Sequence, residues 1–252
     1  MTDAVCIGMG YVGKSTTHAF GIKDYFTRHD ATLTLEEANR KRYIFICLPT
    51  PTVQGKCHTE PIFALLTQLS RYDRKVDNMY IIRSTVYPGF ANYAMEKLGI
   101  DNIVSNPEFL SEDTWKEDAL KPKLVVIGSE YPKYRERLKG LYEGRYKYSE
   151  PLLTDNTTAE MIKYAMNNWF STKVIFSNEI FNICQKTGAN YEAVKLALQT
   201  HPWGMKNHNQ IIYKGRRGIH GTCLPKDLEA FATFTDSQFF KTLITLNQQY
   251  EQ

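Results

Sequence analysis

Reactive side chains stand close together in the segment GTCLPKD (residues 221–227). Cys223 carries a thiol, and the thiolate form of cysteine is a strong nucleophile. Asp227 follows it four residues later, and Pro225 suits the first turn of a helix, so the spacing predicts a helix with both reactive residues on one face. The segment alone leaves two interpretations open, because a free cysteine is usually a small buried apolar residue.

Lys163 and Asn167 form a second pair, four residues apart within AEMIKYAMNNWFSTKVIFSNE (159–179). This segment has helical periodicity, so the two side chains lie on one helix face. An ammonium and an amide are donors that stabilise a developing oxyanion. The spacing alone favours the other interpretation, in which Lys163 is a solvated helix lysine and Asn167 a surface amide.

The segment GMGYVG (8–13) has the G-x-G-x-x-G pattern through three glycines, Gly8, Gly10 and Gly13. It follows an apolar run and opens a helical pattern, which is the setting in which backbone N–H groups approach a pyrophosphate. Asp30 comes 22 residues after Gly8, where an acid binds the ribose hydroxyls of NAD, so it favours NAD over NADP. Arg28 and His29 leave a 2′-phosphate open as the alternative, and the glycines leave a plain strand-to-helix turn.

The elements that must position these groups follow from hydrophobic periodicity. Residues up to about 153 alternate helical patterns with short apolar runs, which are AVCIG, YFTR, YIFICL, MYIIRS, NIVS and LVVIG. This alternation predicts an α/β domain with a Rossmann-like, doubly wound parallel sheet over residues 1–153. From Asp155 to Gly188 the pattern is helical throughout, and further helices follow. We therefore expect an all-helical domain over residues 154–252, with a long central helix and Cys223 within it.

Composition excludes several classes of function. The 252 residues are 42% hydrophobic, and 31 basic against 27 acidic residues are spread along the chain, which argues against a nucleic-acid surface. The five cysteines show no zinc-ligand spacing, so no metal site is expected, and they favour a reducing, cytoplasmic location. No apolar run approaches about 18 residues and no signal peptide is evident, so no membrane association is expected.

Four further segments accompany the glycine-rich turn in a fixed order. They are CLPTPT (47–52), RSTVYPG (83–89), NPEFLSED (106–113) and the long helical segment, and GTCLPKD follows them. From residue 1 to about Leu228 this array closely resembles the UDP-glucose/GDP-mannose 6-dehydrogenase family. The resemblance implies an NAD-dependent four-electron oxidation of a nucleotide sugar at its C6 alcohol, most directly of UDP-glucose to UDP-glucuronate. It makes Cys223 the nucleophile that forms a thiohemiacetal and then a thioester.

The resemblance also implies roles for other residues. Lys163 and Asn167 match the family's oxyanion donors, Asp227 and Thr85 match residues that position a water, and Glu108 matches the base of thioester hydrolysis. Further cofactor contacts are implied for Tyr11, Val12, Pro49, Thr50, Pro51, Ser84, Thr85 and Glu112. Further substrate contacts are implied for Phe109, Leu110, Arg216, Arg217, Gly218 and Gly221.

The chain departs from the family pattern in several places. Only 12 residues separate Asp30 from the next apolar run, where family members usually insert a helix and a strand. Family members also continue into a second domain that grips the substrate nucleotide, whereas 25 residues follow Asp227 here. We expect that the loop NQIIYKGRRGIHGTC and a partner subunit take over that role, since arginines and lysines suit phosphates. The alternative is a minimal or broken version of the enzyme with an altered substrate. Ser111 replaces the usual arginine and His220 a usual glycine.

The family is dimeric through its long helix, so a homodimer is expected. Two other interpretations stay open. A 3-hydroxyacid dehydrogenase shares the plan of a dinucleotide domain plus a long helix with a Lys/Asn pair, but it uses no cysteine. A non-catalytic, NAD-binding assembly subunit would keep the fold without turnover.

Overall fold

The computed structural model describes residues 3–73, 76–111, 113–146 and 150–250. The chain divides into two compact units. The sheet unit comprises Met1–Thr50 and His58–Lys163, and the helical unit comprises Pro51–Cys57 and Tyr164–Gln252. The predicted domain limits at residues 153 and 154 stay a prediction.

The elements, with their bounds, are as follows. The strands are β1 (Ala4–Ile7), β2 (Asp24–Phe26), β3 (Tyr43–Ile46), β4 (Thr52–Val53), β5 (Lys56–Cys57), β6 (Met79–Ile82), β7 (Ile103–Ser105), β8 (Val126–Gly128) and β9 (Leu152–Thr154). The helices are α1 (Tyr11–Phe20), α2 (Leu35–Asn39), α3 (Glu60–Ser70), α4 (Phe90–Leu98), α5 (Trp115–Leu120), α6 (Pro132–Glu143), α7 (Asn156–Thr187), α8 (Tyr191–Thr200), α9 (Leu224–Thr235) and α10 (Gln238–Gln248).

The sheet unit contains a seven-stranded sheet in the order β2-β1-β3-β6-β7-β8-β9. All of its pairings are parallel except the one between β7 and β8, which is antiparallel. The six predicted strands all form, and the predicted α/β class is confirmed. The antiparallel pairing and the edge strand β9 were not expected, because strand direction and weak edge strands leave little trace in local periodicity.

Helices cover both faces of this sheet. Along β3, Ile44 and Ile46 pack into one buried cluster with α3 and α4, while Phe45 packs into the other with α1 and α6. Successive side chains of a strand point to opposite faces, so this separation shows two cores. Burial on both faces explains why the central strands read as unbroken apolar runs.

The helix α7 runs through both units, since Lys163 ends one and Tyr164 begins part of the other. At its start, the Asp155 carboxylate accepts a hydrogen bond from the Thr158 N–H (2.8 Å), which satisfies an end-of-helix donor. At its end, Gly188 adopts φ +75°. The long helix predicted from periodicity is therefore confirmed, with both of its predicted end signals.

The helical unit holds a small hairpin, β4–β5, that the sequence analysis did not anticipate. Its turn residues Gln54 and Gly55 both have positive φ, the conformation of tight hairpin turns. The Thr52 hydroxyl donates to the Lys226 carbonyl in the first turn of α9 (2.7 Å). The hairpin therefore contacts the first turn of the helix that follows Cys223.

Within the described ranges, no helix is both long and apolar enough to cross a membrane. The same ranges hold no group of three or more His, Cys, Asp or Glu side chains arranged to bind a metal ion.

Candidate functional site

The glycine-rich turn joins β1 to α1 by a close approach of backbone segments. A Cβ on Gly8 would lie 2.5 Å from the Cys47 carbonyl oxygen, and a Cβ on Gly13 would lie 1.9 Å from the Gly8 carbonyl oxygen. Gly10 precedes α1, and a Cβ there would meet nothing within 4 Å. The space before the N-terminus of α1 is therefore open, and the turn fits the pyrophosphate of a dinucleotide.

Two other residues of this turn have distinct environments. Val12 is half-buried against the sheet core. Tyr11 is exposed, its hydroxyl donates to the Ser111 carbonyl, and its ring meets Trp115 edge-on at 5.8 Å. Tyr11 thereby ties the turn to the loop that follows NPEFL.

Asp30 lies on an exposed turn after β2, beside the exposed Arg28 and His29. The Tyr25 hydroxyl donates to its Oδ2 (2.5 Å), and the Thr27 N–H donates to its carbonyl (2.9 Å). A carboxylate offers about four acceptor sites, so the Tyr25 bond orients the group and leaves capacity for ribose hydroxyls.

The loops after β3 and β6 are held together by hydroxyl groups. The Ser84 hydroxyl donates to the Leu48 carbonyl (2.6 Å), and the Thr50 hydroxyl donates to the Thr85 carbonyl (2.7 Å). Thr50 and Ser84 are buried, whereas Pro49 and Pro51 are exposed. These loops form the carboxyl-end edge of parallel strands, where open α/β sheets bind ligands.

Glu160, on the first turns of α7, fixes the end of RSTVYPG. Its carboxylate accepts from the N–H groups of Gly89 (2.6 Å) and Ala91 (3.1 Å) and from the Ser105 hydroxyl (2.8 Å). Burial raises the pKa of this carboxyl to about 7, although the three donors act in the opposite direction.

Glu108 and Lys163 form a buried ion pair in the sheet unit. Lys163 Nζ donates to Glu108 Oε1 (3.1 Å) and to its carbonyl oxygen (2.7 Å), and the Leu110 N–H donates to Oε2 (2.7 Å). Burial alone would raise the pKa of Glu108, but the Lys163 charge and the Leu110 hydrogen bond outweigh it and lower the pKa. Lys163 is 5% exposed, so its interpretation as a solvated helix lysine is excluded.

Phe109 and Leu110, which lie between this pair and the following loop, are half-buried. Lys163 Nζ lies 5.4 Å from the centre of the Phe109 ring, within cation–π range. Glu112 lies outside the described residues.

Arg83 is a buried cation that the sequence analysis missed. Its Nη1 donates to Asn106 Oδ1 (2.6 Å) and to the Tyr142 hydroxyl (2.8 Å). Its charge also helps to lower the pKa of Glu108. The available signal was an arginine directly at the end of a buried strand, where only a functional or paired charge is expected.

In the helical unit, Cys223 is exposed and directly precedes α9. The predicted helix forms, with Pro225 in its first turn and the Asp227 N–H donating to the Cys223 carbonyl (3.0 Å). Negative charge at Cys223 would face the end of a helix that favours an anion. The predicted placement of Asp227 one turn after the thiol is confirmed.

The Asp227 carboxylate is buried and engaged on both oxygens. Asn167 Nδ2 donates to Oδ2 (2.6 Å), and Lys226 Nζ donates to Oδ1. Asn167 is buried too, so its interpretation as a surface amide is excluded. The helical unit therefore joins an amide and an ammonium to a carboxylate that lies one helical turn after Cys223 in the chain.

The cations of the preceding loop differ in their availability. The Arg217 guanidinium donates to Asn178 Oδ1 (3.1 Å) and Asn182 Oδ1 (2.8 Å) of α7 and lies about 5 Å from the rings of Phe181 and Tyr250. Arg216 is exposed on a tight turn. Arg217 is one of the two arginines expected to bind a phosphate, but its guanidinium instead packs the loop against α7.

Comparison with known proteins assigns both parts of the chain. Residues 23–145 match the UDP-glucose/GDP-mannose dehydrogenase family, NAD binding domain, and residues 157–249 match the central domain of that family. UDP-glucose 6-dehydrogenase from Rickettsia bellii is 30% identical over 225 residues, which are 85% of this chain and 51% of the relative. The chain thus spans about half the length of such curated relatives.

Solved structures show the same fold. A UDP-glucose dehydrogenase from Pyrobaculum islandicum superposes with a TM-score of 0.85 at 22% identity, over 99% of this chain and 68% of that chain. A 3-hydroxyisobutyrate dehydrogenase from Mycobacterium tuberculosis gives a TM-score of 0.75 at 13% identity, over 99% of this chain and 94% of that chain.

Proposed function

Since the chain belongs to the UDP-glucose/GDP-mannose dehydrogenase family, we propose that it oxidises the C6 alcohol of a nucleotide sugar to the carboxylate, with UDP-glucose as the substrate. NAD is its cofactor, because its residues 23–145 match the family's NAD-binding domain. The observation that carries the proposal is the exposed Cys223 at the start of α9, one turn before Asp227, whose buried carboxylate is bonded to the buried Asn167 and the half-buried Lys226.

The chemistry proceeds in two oxidations and one hydrolysis. When bound, NAD accepts the hydride that leaves C6 in each oxidation. After the first oxidation, Cys223 Sγ bonds to the aldehyde carbon and gives a thiohemiacetal, whose own hydride loss leaves a thioester. Water then adds to the thioester carbon, the C–S bond breaks, and the carboxylate and the thiol are released.

The charged groups of each unit suit steps of this sequence. An ammonium has three N–H donors, and Lys163 directs two of them at Glu108, so we assign the third to the developing alkoxide. The lowered pKa of Glu108 keeps it ionised at neutral pH, the form that a base requires. The Asp227 carboxylate, fixed by Asn167 and Lys226, is the group we assign to orient the attacking water.

The substrate panel that tests this function consists of UDP- and GDP-sugars, with NADH release as the signal. Two NADH per sugar are expected with UDP-glucose, and Cys223→Ser should abolish net turnover. Cys184→Ser is the matched control, since Cys184 is a buried free cysteine of the same unit. The absence of NADH with every nucleotide sugar would refute the proposed function.

The same NADH assay, with a 3-hydroxy acid added to the panel, separates the two alternatives. The 3-hydroxyisobutyrate dehydrogenase matches this chain over nearly its own full length, which shows a shared fold. An enzyme of that class would release one NADH from a 3-hydroxy acid and would tolerate alkylation of Cys223. A non-catalytic subunit would bind NADH without turnover of any substrate.

We also propose a homodimer through α7. Trp169, Phe176 and Ile183 recur every seven residues on this helix and are 56%, 47% and 51% exposed. Large apolar side chains in one exposed stripe are typical of a subunit interface. Their burial against a second copy is the expected arrangement.

A further inference from the structure

The segment that leads into Cys223 is held by a side chain from the last helix. Asn247, on α10, accepts a hydrogen bond at Oδ1 from the Ile219 N–H (2.5 Å) and donates from Nδ2 to the Ile219 carbonyl (3.1 Å). The segment around Ile219 belongs to no helix or strand, so it lacks the backbone partners that such elements supply. Asn247 satisfies both backbone groups of one residue.

The approach of the segment to α10 is close. Gly218 has φ +78°, and a Cβ there would lie 2.5 Å from Asn247 Oδ1 and 3.2 Å from the Tyr250 Cβ. The glycine therefore lets the backbone reach the amide. The buried Ile219 side chain packs into a cluster with Leu228 of α9 and Leu243 of α10.

These contacts restrict the position of the thiol. Ile219 lies four residues before Cys223, and Leu228 lies on the helix that Cys223 precedes. The chain on either side of Cys223 is thus anchored in the same apolar cluster, and the backbone of the preceding part is fixed by the Asn247 amide. Small displacements of a reacting group are costly because attack requires defined geometry.

We propose that Asn247 is a positioning residue for the Cys223 nucleophile. The proposal rests on the proposed function, and Asn247 acts through the segment 218–222 without contact with the reacting atoms. His220 Nδ1 lies 3.0 Å from the Gly218 carbonyl oxygen and provides a further constraint within the segment.

Asn247→Asp is the variant of choice. It keeps the side-chain shape and one acceptor for the Ile219 N–H, but it removes the donor to the Ile219 carbonyl and places a carboxylate oxygen against it. Thr245→Ala is the matched control, because Thr245 is exposed on the same helix and its hydroxyl bonds only within α10 among the described contacts, to the Lys241 carbonyl.

The experiment has two arms on the full chain. Without substrate, iodoacetamide labels the cysteines, and peptide mass spectrometry follows Cys223 and the buried Cys184 separately. We expect Asn247→Asp to change the rate of Cys223 labelling about threefold or more, because the backbone segment that positions the thiol is no longer fixed. With UDP-glucose and NAD, we expect kcat to fall about tenfold with the KM for NAD unchanged.

Unchanged Cys223 labelling in Asn247→Asp would overturn the proposal. Labelling of Cys184 at the rate of Cys223 would also overturn it, since Asn247 would then act on the stability of the whole unit. A wild-type protein without turnover refutes the proposed function only, because the labelling arm needs no substrate.

Discussion

Glu160→Gln should lower the free energy of unfolding of the sheet unit at low pH. This difference from wild type should disappear at high pH. Glu160 is 3% exposed, and burial raises its pKa from the ordinary 4.5 to about 7. The folded state therefore holds this proton more tightly than the unfolded state. The resulting stability is fully present below about pH 4.5 and is lost as the pH rises through about 7, a change of about 3 kcal/mol.

The hydrogen bonds of Glu160 determine how much stability the glutamine variant loses at low pH. Protonated Glu160 can donate to the Ser105 hydroxyl and still accept from the N–H groups of Gly89 and Ala91. In either orientation, the glutamine NH₂ faces the N–H of Gly89 or of Ala91, which cannot accept a hydrogen bond, so at least one of its two donors has no acceptor there. A buried donor left without a partner costs about 1–3 kcal/mol, so the variant should be less stable than wild type by that amount at low pH.

Urea unfolding at pH 5 and pH 8 measures this effect. The stability gap between wild type and Glu160→Gln should narrow by about 2–3 kcal/mol between the two pH values. Glu136→Gln is the control, since Glu136 is an exposed residue of the same unit. If the difference in unfolding free energy between wild type and Glu160→Gln stays constant or grows as the pH rises, the burial and the raised pKa of Glu160 are refuted.

Three further predictions concern binding and assembly. Tyr25→Phe removes the hydroxyl that orients Asp30 and should weaken NAD about fivefold in a titration; an unchanged affinity would mean that Asp30 does not contact the ribose. Arg216→Ala should raise the KM for the nucleotide sugar several-fold at unchanged stability, whereas Arg217→Ala should lower the free energy of unfolding by about 1–3 kcal/mol; the reverse pattern would contradict their assigned environments. Phe176→Glu should convert a dimer to a monomer in light scattering, and an unaltered mass would remove α7 from the interface.

Elements with strong local periodicity could be predicted from the sequence. The strands around Ile44 and Ile81 are buried on both faces and are apolar runs in the sequence. The two ends of α7 are marked in the sequence by Asp155 and Gly188. The antiparallel direction of β8 could not be predicted, because a strand has the same periodicity in either direction. The β4–β5 hairpin was missed since its strands have two residues each.

The sequence predicted which residues belong to the candidate site, but it predicted their burial and their partners only in part. Spacing placed Cys223 and Asp227 one turn apart, as the structure has them. It could not show that Lys163 is paired with Glu108, or that Arg217 is packed between rings, because both contacts join residues distant in sequence. Arg83 was missed for the same reason, since its partners come from other elements of the sheet unit.

The most direct test of the central claim is the NADH yield of the purified protein with limiting UDP-glucose and excess NAD. The proposed function predicts two NADH for each sugar consumed, with a carboxylate product and no release of free aldehyde. One NADH per sugar, or full turnover that survives Cys223→Ser, would contradict the cysteine-dependent four-electron oxidation.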